Sequence, residues 1–167
     1  DQAFLRSLAF IAQFTLFIVP TTYVLSLALA VLVHNATFFK GVFRTIFFMP
    51  QAISYVIAAM IWRMSIFSGL PCGLANMILW EVFKVDPSVW IGTTKPPWHF
   101  VVLITVRLWL QVGFYMILFV AGMEDITRDL YEAAQVDGAQ SKWQLFRYIT
   151  FPLLRNTSIF VVLMNII

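Results

Sequence analysis

Apolar residues fall into four long blocks separated by polar stretches. Ser7 to Val33 carries no charged residue, and about 20 apolar residues suffice for a helix to cross a bilayer. It predicts a first span, loosened near Pro20. A polar turn from His34 to Arg44 leads to a second span over Thr45–Trp62, with Pro50 near its start. From Phe67 to Trp98 the pattern turns irregular, punctuated by Gly69, Pro71, Gly73, Asn76, Pro87, Gly92, Pro96 and Pro97. Within it Met77–Phe83 fits a short interfacial helix flanked by Trp80 and Trp90, which favour headgroup level. Phe100–Met123 is a third span, and Pro152–Ile167 begins a fourth.

Composition supports this pattern. Apolar residues make up 61% of the 167 and charged residues 11%, against about 25% charged in soluble domains. The chain cannot cover itself with a water-facing surface, so an all-α, polytopic membrane bundle in contact with lipid is expected. A net charge of +3 is too small and dispersed for nucleic acid. The single cysteine, Cys72, excludes an internal disulfide framework, and His34 and His99 stand alone, so no metal site is expected. The chain starts at Asp1 without Met and stops at Ile167 inside an apolar run, as a piece of a longer protein would.

Lys and Arg set the orientation. The His34–Arg44 turn holds two and the loop from Glu124 to Asn156 holds four, Arg128, Lys142, Arg147 and Arg155, while the long Phe67–Trp98 connection holds Lys84 and Lys95. An odd number of crossings separates that connection from the other two, so their higher density makes them cytoplasmic and it external.

The last cytoplasmic loop is unusually organised. Thr127 is placed to cap a helix whose first turns hold Asp129 and Glu132, where the dipole favours acids. Glu124 and Arg128 stand at i,i+4, a pair contributing about 0.2–0.5 kcal/mol. Ala133 and Ala134 leave one side thin, and Gly138 can take the left-handed conformation that closes a helix. Ser141 with Gln144 three residues on forms a capping-box pattern. Trp143 and Phe146 supply a bulky face, and Pro152 suits the first turn of the next span. The expected result is helix, turn, helix.

Glu132-Ala133-Ala134, then Asp137-Gly138-Ala139, Trp143, Phe146 and Ile149-Thr150-Phe151-Pro152 resemble the EAA loop of ABC importer permeases, nearest their carbohydrate-type branch with its maltose- and glycerol-phosphate-like members. Asp1-Gln2-Ala3-Phe4, Phe14-Thr15 with Pro20, Phe43-Arg44-Thr45, Phe47-Phe48-Met49-Pro50, Ile61-Trp62, Trp109, Gly113, Phe114 and Ala121-Gly122 extend the likeness over nearly the whole chain. The resemblance implies one incomplete transmembrane permease domain over 1–167, about helices two to five of a six-helix type I core, with 124–152 as its cytoplasmic coupling loop. Three departures stand out. Ten residues rather than nine separate Gly138 from Ile149, Thr127 replaces a frequent proline, and Phe10-Ile11 stands where Asn-Thr is common. An extra residue absorbed helically would rotate the second loop helix by about 100°; the turn at Gln140-Ser141 is expected to absorb it.

By the same resemblance the chain is a non-catalytic subunit of an ATP-driven importer for a sugar or sugar-like solute, multi-pass in a bacterial or archaeal cytoplasmic membrane. Glu132 would contact a cytoplasmic ATPase, Ala133 and Ala134 would allow close packing, and Asp137, Gly138 and Ala139 would form the turn. Its partners would be a second, different permease chain, two ATPase copies holding ATP and Mg, and an extracytoplasmic solute-binding protein; the chain itself would hold no cofactor. Arg107 inside a span is costly and marks a functional site by default. With Gln111 and Tyr115 at i+4 and i+8 it predicts one polar stripe on a solute path, to which Asn165 would add; snorkelling, or pairing with a partner helix, is the competing role for Arg107. A secondary transporter or channel is the alternative class, but every acid falls in or beside a loop, without the intramembrane acids of such proteins. No Gly-rich phosphate loop occurs.

Overall fold

A computed structural model describes residues 2–70, 73–91, 98–139 and 141–167. These are helical wherever they are regular: α1 Gln2–Asn35, α2 Lys40–Ala52, α3 Tyr55–Ile66, α4 Leu74–Phe83, α5 Trp98–Glu124, α6 Arg128–Val136, α7 Lys142–Leu153 and α8 Arg155–Ile166. They form two compact units, Asp1–Phe14 with Met49–Gln111 and Thr15–Phe48 with Val112–Ile167, and α1 and α5 each give a segment to both.

Among the described residues, only α1 and α5 are long and apolar enough to cross a membrane as single helices; up to four crossings result when α2 with α3, and α7 with α8, each count as one broken span. The continuous second and fourth spans expected from hydropathy are therefore corrected. The second is interrupted because Pro50 lies in a tightened turn, Met49–Ala52, after which the chain leaves the helix at Ser54 (φ −59°, ψ 139°). Proline cannot donate the next ladder bond. In the fourth, Pro152 does not open the helix. α7 runs through it, and the 65° bend falls at Leu154 (φ −74°, ψ 3°). The missing Pro152 N–H comes just after a widened turn at Phe146–Thr150, where Phe151 N–H bonds Phe146 O, five residues back.

That wide turn bears on the extra residue. Gln140, where absorption was expected, lies outside the described residues. The turn at Phe146–Thr150 begins inside that interval, runs past its end at Ile149 and takes up one residue more than an α-turn. Pro20, by contrast, does not interrupt α1. The Thr21 hydroxyl donates to Phe17 O at 2.6 Å, next to Leu16 O, the carbonyl that Pro20 leaves without its helical donor. The polar turn after α1 is also shorter than expected, because Lys40 and Arg44 already lie on α2.

The unit built on Thr15–Phe48 and Val112–Ile167 buries a stripe of α1, Ile18, Thr22, Ser26, Ala30 and Val33. Its core also holds Tyr115, Met116, Phe119, Val120, Met123, Leu154 and Val161. Two glycines set its closest approaches. A Cβ on Gly113 would meet Phe47 O at 1.7 Å, and one on Gly122 would meet Thr157 Oγ1 at 2.6 Å. In the other unit Trp62, Phe67, Trp90 and Val102 form the core. Trp90 is only 5% exposed, so it is a core side chain rather than an interfacial one. Its indole donates to Asn76 Oδ1 at 2.8 Å.

Candidate coupling loop and membrane polar cluster

α6 begins after Thr127, whose backbone is extended (φ −64°, ψ 143°) in the cap position, but its hydroxyl makes no capping bond. The expected Glu124–Arg128 pair does not form. Glu124 instead pairs with Arg44 of α2, and Arg128 Nε donates to Glu132 Oε1 at 2.8 Å. The Arg128–Glu132 pair is largely exposed, and such pairs contribute about 0–1 kcal/mol, whereas Arg44 is half-buried.

The end of α6 is set by Gly138, whose φ is +99°. Gly138 N–H bonds Gln135 O at 3.2 Å, and Ala139 N–H bonds Ala134 O at 2.9 Å. This is the doubly bonded Schellman closure, which needs a left-handed residue at that place. Ser141 then opens α7 with a capping box to Gln144, Ser141 N–H bonding Gln144 Oε1 at 3.1 Å, and its Oγ also accepts from Trp143 N–H at 3.3 Å.

Within α6 only Tyr131 and Ala134, three residues apart, are half-buried. The Tyr131 and Thr150 hydroxyls lie 3.0 Å apart, tying α6 to the wide turn of α7. That anchor leaves Asp129, Glu132, Ala133 and Val136, at helical i, i+3, i+4 and i+7, open to solvent. Asp137 and Gly138 are exposed and Ala139 half-buried. Tyr131 was not singled out from sequence. Its signal is the aromatic one residue before Glu132, about 100° around the helix. Behind the loop a cleft of ≈ 1000 Å³ runs between α1 and α7, with Leu27, Val31 and Phe146 among its apolar walls and His34, Gln135 and Lys142 among its polar ones.

Arg107 and Gln111 lie in one unit, and Tyr115 and Asn165 in the other. Arg107 Nε donates to Gln111 Oε1 at 2.9 Å, and Gln111 Nε2 donates to the Tyr55 hydroxyl at 2.9 Å. The Arg107 guanidinium lies 5.7 Å from the Phe14 ring centroid, within cation–π range. Tyr115 is a core residue. It is 3% exposed, within the apolar core of the other unit, where its ring meets Phe114. A tyrosine eight residues on carries enough apolar ring to be taken into a core. Asn165 is 1% exposed, on the buried face of α8 with Val161. Tyr55 was not singled out from sequence, and Asn76 was read there as loop punctuation alone. Asn76, fully buried, donates to Ser68 O, Leu70 O and Ser88 O and accepts from Ser88 N–H and the Trp90 indole.

Two apolar helices of spanning length, together with a capped two-helix polar loop, mark the chain as an integral membrane protein. A family model described as binding-protein-dependent transport system inner membrane component matches residues 22–167, and the chain belongs to that family. It is 31% identical to the probable starch degradation products transport system permease protein AmyD of Thermoanaerobacterium thermosulfurigenes, over 99% of this chain and 55% of the relative. It is likewise 31% identical to the lactose transport system permease protein LacF of Rhizobium radiobacter, over 100% and 55%. The fold is similar to that of a bacterial ABC transporter involved in the import of the acidic polysaccharide alginate, with TM-score 0.85 and 26% identity over 99% of this chain and 56% of that one. The all-helical type I permease architecture is thereby established, and the chain spans about half the length of the curated relatives it matches.

Proposed function

We propose that this chain supplies the membrane path and coupling loop of an ATP-driven importer for a saccharide, in the cytoplasmic membrane of a bacterium or archaeon. The observation that carries this reading is the α6–α7 loop. A Schellman turn and a capping box fix its shape, Tyr131 anchors one side, and Asp129, Glu132, Ala133 and Val136 face outward. Such a surface suits a cytoplasmic ATPase. Glu132 offers a charged contact, Ala133 lets the partner approach the backbone, and Asp137-Gly138-Ala139 hold the turn. Closure of two ATPase copies on ATP would move the loop and alternate access to the membrane path. A second permease chain completes that path in this proposal.

The similar alginate transporter was crystallised with a pentasaccharide-bound periplasmic protein, which supports an extracytoplasmic binding protein as the delivery partner. Relatives named for starch degradation products and lactose transport support a saccharide as solute. Arg107 and Gln111 are the polar groups of α5 proposed to face it. Purification of the full-length permease from native membranes tests the reading: an ATPase should accompany it, with hydrolysis stimulated by a saccharide. Glu132→Lys should abolish stimulation while leaving membrane insertion normal. A Glu132→Lys transporter with normal stimulated turnover would sink the assignment.

A further inference from the structure

We infer that the cleft behind the α6–α7 loop binds an anionic phospholipid, with an acyl chain laid along α1 and the phosphate held at Lys142. Such a site requires only that the chain sits in a membrane, whether or not it drives import. The cleft lies wholly within the unit of Thr15–Phe48 and Val112–Ile167. Val24, Leu27, Ala28, Val31, Leu32 and Asn35 of α1 line it at i, i+3, i+4, i+7, i+8 and i+11, which is one face of a helix. The first five are apolar and cover about 12 Å at 1.5 Å per residue. That is close to the about 15 Å of hydrocarbon in one leaflet. Val24 and Leu32 remain 60% and 67% exposed, so the wall is open for an acyl chain to cover.

Polar groups gather at one end of that face. On α1 the apolar positions are followed by His34 and Asn35; on α7, which returns toward the lipid, Lys142 comes first and Leu145 and Phe146 follow. By the distribution of Lys and Arg this end faces the cytoplasm, where the leaflet carries anionic lipid. Trp143, a side chain suited to headgroup level, lines the cleft next to Lys142. Lys142 is exposed and, among the described residues, forms no ion pair. No acid among those residues lines the cleft, and Asp129 and Glu132 lie on the outward face of α6 while Tyr131 and Gln135 turn toward it. An ammonium above an apolar wall is complementary to a phosphate above an acyl chain, and the Gln135 amide can donate a further hydrogen bond. A zwitterionic headgroup would bring its own cation up against Lys142. The match is therefore to a headgroup of net negative charge.

The test uses the full-length permease with its partners, purified in mild detergent. The complex is exchanged into phosphatidylglycerol and phosphatidylcholine of identical acyl chains, and native mass spectrometry counts the lipids retained. The wild type should hold phosphatidylglycerol about fivefold better than phosphatidylcholine, the ratio expected for one basic residue at an anionic lipid, and added salt should reduce that ratio. Lys142→Gln should abolish the preference and spare phosphatidylcholine retention. Leu32→Trp, which fills the open wall, should lower retention of both lipids, and Lys84→Gln in the external connection should change neither. Equal retention of the two lipids by the wild type overturns the inference. So does a preference that survives Lys142→Gln, or retention untouched by Leu32→Trp. A Leu32→Cys variant in a Cys72→Ser background that crosslinks efficiently to another protein chain would also overturn it, by giving the cleft to protein. If Lys142→Gln fails to assemble, the wild-type ratio and Leu32→Trp decide.

Discussion

Gly138→Ala isolates what the loop turn contributes. Space around Gly138 is open, with no atom within 4 Å of an added Cβ, so the methyl meets nothing. The whole penalty comes from the backbone at φ +99°, and holding an L-residue in the left-handed region costs about 1–2 kcal/mol. The two closing bonds, Gly138 N–H to Gln135 O and Ala139 N–H to Ala134 O, should open correspondingly more often, about 5- to 30-fold. Hydrogen exchange of the reconstituted transporter should show that acceleration at the Ala139 amide, with protection across Met116–Val120 unchanged. Coupled transport should fall with it, because the loop presents Glu132 in the right place for a smaller fraction of the time. Gly138→Asn, a residue that tolerates the left-handed region, should do less damage. Unchanged exchange at Ala139 in Gly138→Ala would refute the reasoning outright.

Three further perturbations separate structural roles from functional ones. Gly113→Val should cost more than about 3 kcal/mol and abolish assembly, because its Cβ would stand 1.7 Å from Phe47 O, a backbone atom with no freedom to yield; normal yield and melting temperature would contradict the close packing. Asn76→Ala should cost about 3 kcal/mol or more by orphaning buried partners at Ser88 and Trp90, read as a red-shifted tryptophan emission and protease cleavage within residues 67–91, with insertion retained. Glu132→Gln removes a largely exposed i,i+4 pair with Arg128, so it should change stability by no more than about 0.5 kcal/mol yet lower saccharide-stimulated ATPase severalfold; equal small effects on both would make Glu132 a solvated side chain.

Sequence was most informative where physics is local. The φ of Gly138 and the box at Ser141-Gln144 are decided by residues within a few positions, and both stand as expected. The apolar runs of α1 and α5 likewise exceed the bilayer requirement whatever their neighbours do. Hydropathy is blind, however, to where a continuous apolar run bends. Pro50 and Pro152 look alike in sequence, yet one sits in a break and the other inside a helix relieved by the preceding wide turn. Partner choice was the other gap. Glu124 had two cations available, Arg128 four residues on and Arg44 eighty residues back, and only the packing of the fold brings Arg44 close. The same gap explains Tyr115. Spacing puts it on the face of Arg107 and Gln111, but the core around Phe119 takes its ring, while Tyr55 on another helix supplies the hydroxyl.

The central claim, that the α6–α7 loop docks on a cytoplasmic ATPase, is tested most directly by crosslinking from Ala133→Cys, an exposed position on α6, in a Cys72→Ser background that removes the lone native thiol. In membranes holding the complete transporter, a short bifunctional reagent should join this position to the ATPase chain, with a yield that changes when ATP binds. Crosslinks only to lipid-side or extracytoplasmic proteins, or no ATPase adduct with or without nucleotide, would contradict the account.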